Sequence, residues 1–516
     1  MQSPIVTFLS NFVDNHTNPI LIREIRQMVR NRFVVVMLNL FVALLVFTSL
    51  GTTLSSSYSR NDAAGLELFG MLAGMVFATC IFVVCVYTAI VAANERVNSD
   101  LMFSSAITPT QIVLGKFFSG LVLSLLLFSA VFPFFTFAYL LRGLDLFTFF
   151  VSVYVVFVLI HTINSAVILI SCNIKTTVQM IFIGIFALMG GFWMLGVVIS
   201  ALHFSLMYGG GPFGTISSNY GEVLASFTFF TFSIIGFCLT ASVVSISPHS
   251  SNRMVPLRFY ISAWFWISFA FAAFVDLYLG LSYYNGFFSF WCVMQLLVLA
   301  ASIPIFASER DYWGPRIRRT IPRSILFRLM VFPFYTGAAC GLVWWGAHAA
   351  YLAVIYLLTV NQFSNDPPEQ AIALALAVFN YFATAMLLRT VVFYKWLPPA
   401  KTSLIALGLL GIFTIGSMLV YYLLTYDESN AYPLEYYNQS ILSAFNPFLI
   451  FIDMFSYGHS YAETLQVHGV FIWSIVLVPF LLVWLVIRLY RFAPGVGTNE
   501  LTYEKAVEII KSKNQQ

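Results

Sequence analysis

The stretch FVVVMLNLFVALLVFTSLGTTL, residues 33–54, holds no charged side chain from end to end. As an α-helix it rises about 33 Å, enough to cross a hydrocarbon core of about 30 Å. Its apolar residues do not alternate with polar ones, as a strand of a membrane barrel requires, so the segment satisfies its backbone hydrogen bonds internally as a helix. Outward from it, comparable apolar windows recur at 66–93, 117–140, 147–171, 176–205, 222–246, 259–281, 285–307, 329–359, 371–393, 402–425 and 470–490. The pattern predicts an all-α polytopic membrane protein with about 12 transmembrane helices.

Composition demands the same class. Of 516 residues, 60% are hydrophobic and 9% charged, against about 25% charged in a soluble chain, and the mean hydropathy is +0.88. Cys80, Cys85, Cys172, Cys238, Cys292 and Cys340 all fall in or beside apolar windows, which reads as packing rather than a disulfide or metal framework. The N-terminal residues 1–31 are polar and arginine-bearing, unlike a removable signal peptide.

Charge placement sets the orientation. With the N-terminus in the cytoplasm, only Arg60 and Arg142 of the 25 Lys and Arg residues face outward, as retention of positive charge inside requires. The segment 426–469 lacks Lys and Arg and contains Asp427, Glu428, Glu435, Asp453 and Glu463; it is expected outside. Both termini are expected in the cytoplasm. The reading divides the chain into a cytoplasmic segment 1–32, a first six-span unit 33–246, a linker 247–258, a second six-span unit 259–490 and a tail 491–516. The two halves enter the membrane in the same direction and are therefore parallel. Glu95-Arg96 and Glu309-Arg310 open corresponding loops, each followed by a proline, Pro109 and Pro322.

Residues 18–32 predict a surface helix capped by Asn18, with Pro19 in its first turn. Leu21, Ile22, Ile25, Met28 and Val29 share one face and Arg23, Arg26 and Arg30 the other, the arrangement of a basic helix on a membrane surface.

Chemistry is sparse. No GxxxxGK[ST], HExxH or GxSxG occurs, so nothing points to a nucleotide site or to a hydrolase, and no catalytic, cofactor or metal residue is assigned. Among ionisable residues in the windows, Asp276 is expected near an outer helix end, His161 and His348 as neutral imidazoles hydrogen-bonded between helices, and Arg389 as a snorkelling cytoplasmic-end residue. The loops 94–116 and 308–328 mix charge with apolar positions and can meet a soluble partner or, through the arginines, anionic lipid.

The run NPILIREIRQMVRNRFVVVMLNLF resembles the surface helix and first span of type-2 (ABC-2) permeases of ATP-binding-cassette exporters. ERVNSDLMFSSAITPTQIVLGKFFSGLV resembles that family's stretch between the second and third spans, with Glu-Arg at its start, Thr-Pro within it and Gly-Lys near its end, and SAFNPF at 443–448 is similar to its segment before the last span. The resemblance implies a cytoplasmic ABC ATPase, as a dimer, that binds ATP and Mg, while this chain binds no cofactor. It places Arg23, Glu24 and Arg26 in the surface helix beside that ATPase. Glu95, Arg96, Asp100, Thr108, Pro109 and Gln111 fall in the coupling loop, with Glu309, Arg310 and Pro322 as a second coupling loop. The partners it implies are that ATPase, the lipid bilayer and, in one arrangement, a second permease chain; no nucleic acid is expected. The expected function is ATP-driven export across the plasma (inner) membrane by a permease that is not itself an enzyme. The alternatives are an ion-coupled secondary transporter or a polytopic membrane enzyme. Substrate is not encoded in any motif, and one chain could supply both halves or two chains could pair.

Overall fold

The computed structural model describes residues 18–58, 64–89, 107–141, 146–173, 220–248, 251–279, 286–307, 309, 313–363, 369–393, 402–416, 419–420 and 461–492. The protein is an all-α polytopic membrane protein. Among the described residues, eight helices are long and apolar enough to cross a membrane. The window 176–205 and the tail 499–516 lie outside the described residues. The chain divides into two compact units, Met1–Ser247 and Pro248–Gln516.

The first unit comprises α1 (Pro19–Arg30), α2 (Arg32–Tyr58), α3 (Ala64–Cys80, running on through a π-helical turn at Ile81–Cys85), α4 (Pro109–Leu140), α5 (Leu146–Asn173) and α6 (Tyr220–Ile246). Apolar side chains gain nothing by leaving lipid for protein, so helices in a bilayer associate through close packing and internal hydrogen bonds. α3 is the most enclosed span. Its Phe69, Leu72, Val76 and Phe77 pack in one cluster with Phe41 and Leu45 of α2, Leu127, Val131 and Phe135 of α4, and Phe149 and Ile160 of α5. Phe69, Phe135 and Phe149 form a ring triad with centroids 5.1–5.9 Å apart. α2 instead turns Val36, Leu40, Phe47 and Leu54 outward, the lipid-facing pattern.

The second unit comprises α7 (Val255–Leu279), α8 (Gly286–Ala307), the short α9 (Pro315–Thr320) and α10 (Ile325–Val331), then α11 (Ala338–Phe363), α12 (Glu369–Val391), α13 (Thr402–Gly411) and α14 (Tyr461–Arg491). Trp345 of α11 stacks on Phe379 of α12 at 4.3 Å. Tyr381 of α12 meets Trp473 of α14 edge to face, and Asn380 Nδ2 donates to the Val470 carbonyl at 3.0 Å.

Several boundaries differ from the hydropathy windows. The window 329–359 is broken: after α10, a 3-10 turn at Phe332–Phe334 and the residues up to Gly337 precede α11. Pro333 denies the helix a backbone donor there. α4 begins at Pro109, so Gln111 and Lys116 are helical rather than loop residues. α14 begins at Tyr461, carrying the last helix into the segment read as external; the rest of 426–469 lies outside the described residues. Arg389 is only 6% exposed and so does not extend to water. His161 is hydrogen-bonded between helices as expected, whereas His348 bonds within its own helix, Nδ1 to the Trp344 carbonyl at 2.8 Å.

Candidate functional site

The site is built from α1 and the start of α4. α1 begins as its sequence predicts: the Asn18 side chain accepts from the Ile20 amide at 3.1 Å, and Pro19 occupies the first helical turn, where its missing amide hydrogen leaves no bond unmade. α4 has a matching start. Thr108 caps it in a capping box, its hydroxyl accepting from the Gln111 amide at 3.4 Å while Gln111 Oε1 accepts from the Thr108 amide at 2.9 Å. The Thr-Pro pair and Gln111 are thus what start the helix.

The buried stripe of α1 is Ile20, Glu24 and Met28, spaced four residues apart. Of the expected apolar face, only Met28 belongs to this stripe; Leu21, Ile22 and Ile25 are half-buried, and Val29 is 62% exposed. Arg23, Arg26 and Arg30 face outward as expected and, with Pro19, Ile22 and Gln27, line a shallow groove of about 260 Å³.

Three contacts fasten α1 to α4. Asn18 Nδ2 donates to the Gln111 carbonyl. Ile20 lies against Gly115, where a Cβ would stand 2.9 Å from Ile20 Cγ2, so only glycine lets the two helices approach this closely. Glu24 Oε1 stands 3.7 Å from Lys116 Nζ, and both side chains are sealed from solvent. Glu24 Oε1 also accepts from Arg23 Nη2 at 2.9 Å. Tyr87, just beyond the π-helical turn of α3, donates its hydroxyl to the Glu24 carbonyl at 3.4 Å. The seat is therefore charged at its centre and apolar around it. A buried charge is tolerated only where it is paired.

Beyond Lys116 a polar seam continues between the spans. Thr88 Oγ1 donates to Asn164 Oδ1 at 2.8 Å, and Ser124 Oγ lies 3.0 Å from His161 Nε2. Gly120 makes room for Asn164, whose Nδ2 would sit 2.6 Å from an added Cβ.

Residues 17–205 match the family model described as ABC-2 type transporter. The match spans 189 of the 516 residues. No curated protein and no solved structure matches the chain. The match to this transporter family lies within the first unit. It covers α1 to α5 and hence the whole of the α1–α4 seat.

Of the residues expected to couple the permease to an ATPase, Glu24 meets Lys116 and Gln111 meets Asn18 in the α1–α4 seat, with Thr108 and Pro109 at the start of α4. Arg23 and Arg26 line the outer groove. Glu95, Arg96, Asp100 and Arg310 lie outside the described residues. Glu309 is buried at 2% exposure, with Oε1 2.6 Å from Arg258 Nη2, and its Oε2 accepts from the Gly337 amide. Burial pushes its carboxyl above the usual carboxylate range, against the opposing pull of Arg258 and the Gly337 amide. Pro322 is half-buried in the turn after α9. Lys116 and Arg258 are the residues that sequence reasoning passed over. The signal for Lys116 was present, since it is the lysine of the Gly-Lys pair and stands at the edge of an uncharged window. Among the described residues, no three His, Cys, Asp or Glu side chains cluster as a metal site would.

Proposed function

We propose that the chain is the permease of an ATP-binding-cassette exporter of the plasma (inner) membrane, with both termini in the cytoplasm and with ATP and Mg held by a separate dimeric ATPase. The observation that carries this reading is the seat of α1 on α4. α1 offers Arg23, Arg26 and Arg30 to the outside, while Glu24 and Ile20 tie it to a membrane span through Lys116 and Gly115. A push on the outer face, or on the loop ahead of Thr108, reaches that span through buried contacts rather than a slack linker.

In this reading Glu95, Arg96 and Asp100 meet the ATPase, and Thr108, Pro109 and Gln111 fix where the moving helix begins. Glu309, Arg310 and Pro322 would form a second dock, but Glu309 commits its carboxylate to Arg258, so the proposal rests on the first loop. One chain with two parallel halves, or two chains, would complete the pathway.

Co-purification with an ATPase that bears a P-loop tests the proposal. Substituting Glu95 and Arg96 should abolish co-purification while the chain remains folded. Retention of the ATPase after replacement of residues 94–106, which leaves α4 intact, would overturn the docking assignment. The second reading, an ion-coupled carrier, draws on the buried Thr88–Asn164 and Ser124–His161 pairs; substrate movement driven by an ion gradient without nucleotide would select it.

A further inference from the structure

Four helix ends of the second unit converge on one knot: the start of α7, the end of α8, the start of α11 and the end of α14. Arg258 of α7 donates to the Pro333 carbonyl at 2.8 Å and to Glu309. Trp313 Nε1 donates to the Thr336 carbonyl at 2.8 Å, and Asn252 Oδ1 accepts from the Thr336 amide at 2.9 Å. Phe492, fully buried, is ringed by Trp313, Phe332 and Tyr335 at 5.0–5.1 Å. A place where spanning helices begin and end together is a membrane–water boundary.

On this knot sit α9 and α10. Trp313, Ile317 and Ile321, four residues apart, point inward and are buried. Arg316, Arg319 and Arg323 consequently face out and are exposed; among the described residues no carboxylate pairs with them. The Tyr335 hydroxyl donates to the Thr320 carbonyl at 2.8 Å and ties the end of α9 to the knot. α10 has no buried residue at all. Ile325, Leu326, Phe327 and Met330 are 72%, 68%, 60% and 66% exposed, an apolar cluster that water does not support.

We propose that residues 315–331 are a binding site for anionic phospholipid, in which the apolar side chains of α10 enter the acyl boundary of the leaflet while Arg316, Arg319 and Arg323 hold headgroup phosphates. Charge complementarity selects the headgroup, since arginine forms paired hydrogen bonds to phosphate. The adjacent apolar side chains select a membrane over the surface of a soluble acidic protein, which would leave them wet. Because the knot fixes α9 in advance, little ordering is required on binding.

The test uses the full chain in nanodiscs of phosphatidylcholine with or without phosphatidylglycerol. Phosphatidylglycerol should raise the thermal unfolding midpoint of the natural chain, and native mass spectrometry should retain the anionic lipid. Arg316→Gln, Arg319→Gln and Arg323→Gln should each weaken retention roughly fivefold, the scale expected for one basic residue at a lipid surface, and the triple variant should lose the rise in midpoint. A rise in the triple variant equal to that of the natural chain would overturn the proposal and leave an acidic protein as the partner for these arginines. A second measurement does not depend on the arginine variants folding. A nitroxide placed on Phe327→Cys, with the six native cysteines buried, should be relaxed by oxygen more than by a water-soluble nickel complex; the reverse order would also overturn it.

Discussion

Glu24 Oε1 lies 3.7 Å from Lys116 Nζ, with the two side chains 0% and 1% exposed, so the surface helix is joined to a membrane span by a buried ion pair. The pair is too far apart for a strong direct hydrogen bond, and its stability depends on both charges being present. Glu24→Gln and Lys116→Met should each destabilise the chain by about 1–3 kcal/mol, Lys116→Met the less, because Arg23 Nη2 still pairs the Glu24 carboxylate at 2.9 Å. The double variant Glu24→Leu/Lys116→Met should recover most of that loss. Thermal unfolding of the four proteins in a double-mutant cycle measures the coupling, and strict additivity of the single effects would show that the two side chains act independently.

Gly341 in α11 faces Phe306, whose Cβ would stand 2.2 Å from an added Cβ, whereas nothing lies within 4 Å of such an atom at Gly346 in the same helix. Gly341→Ala should therefore destabilise the second unit by at least about 1–3 kcal/mol through overpacking. Gly346→Ala should be neutral or mildly stabilising, since alanine restricts the unfolded chain. Unfolding midpoints of the two variants side by side distinguish packing from a general intolerance of change in α11.

The start of α4 depends on the capping box of Thr108 and Gln111. Thr108→Ala should cost about 1 kcal/mol and Thr108→Ser much less. The loss should be local, so faster amide hydrogen exchange in the first turn of α4, with little change deeper in the span, is the expected signature.

Glu309 carries a pH dependence of defined sign. Burial holds its carboxyl above the ordinary carboxylate range, with Arg258 and Arg253 pulling the other way. A carboxyl whose folded-state pKa is raised contributes stability that is complete below the unfolded pKa of about 4.3 and is lost as pH rises through the folded value. The unfolding midpoint of the natural chain should therefore fall over that interval, and Glu309→Gln should flatten the fall. A midpoint that instead rises with pH, in a manner abolished by Glu309→Gln, would show that Arg258 outweighs burial.

Local patterns carried the membrane class, the capped start of α1 at Asn18 and Pro19, and the outward arginines Arg23, Arg26 and Arg30, because uncharged runs, caps and helical periodicity are written in neighbouring residues. The Gly-Lys pair at Gly115-Lys116 was visible as a motif, but nothing near it in the chain says that Ile20 fits over the glycine or that Glu24 pairs with the lysine. Burying a carboxylate is unfavourable until a partner arrives from a distant segment, so the inward turn of Glu24 could not be read from α1 alone. The same reason applies in the second unit. Hydropathy runs without a break through Phe332 and Pro333; Pro333 withholds a donor, but Pro133 and Pro479 lie inside continuous helices, so the interruption also needs Arg258, Glu309 and Trp313, which reach the turn from other parts of the chain. Span composition is a local property and was settled by the residues in order; which charges are hidden and where a span is broken depend on non-local pairing, and these the packed helices had to decide.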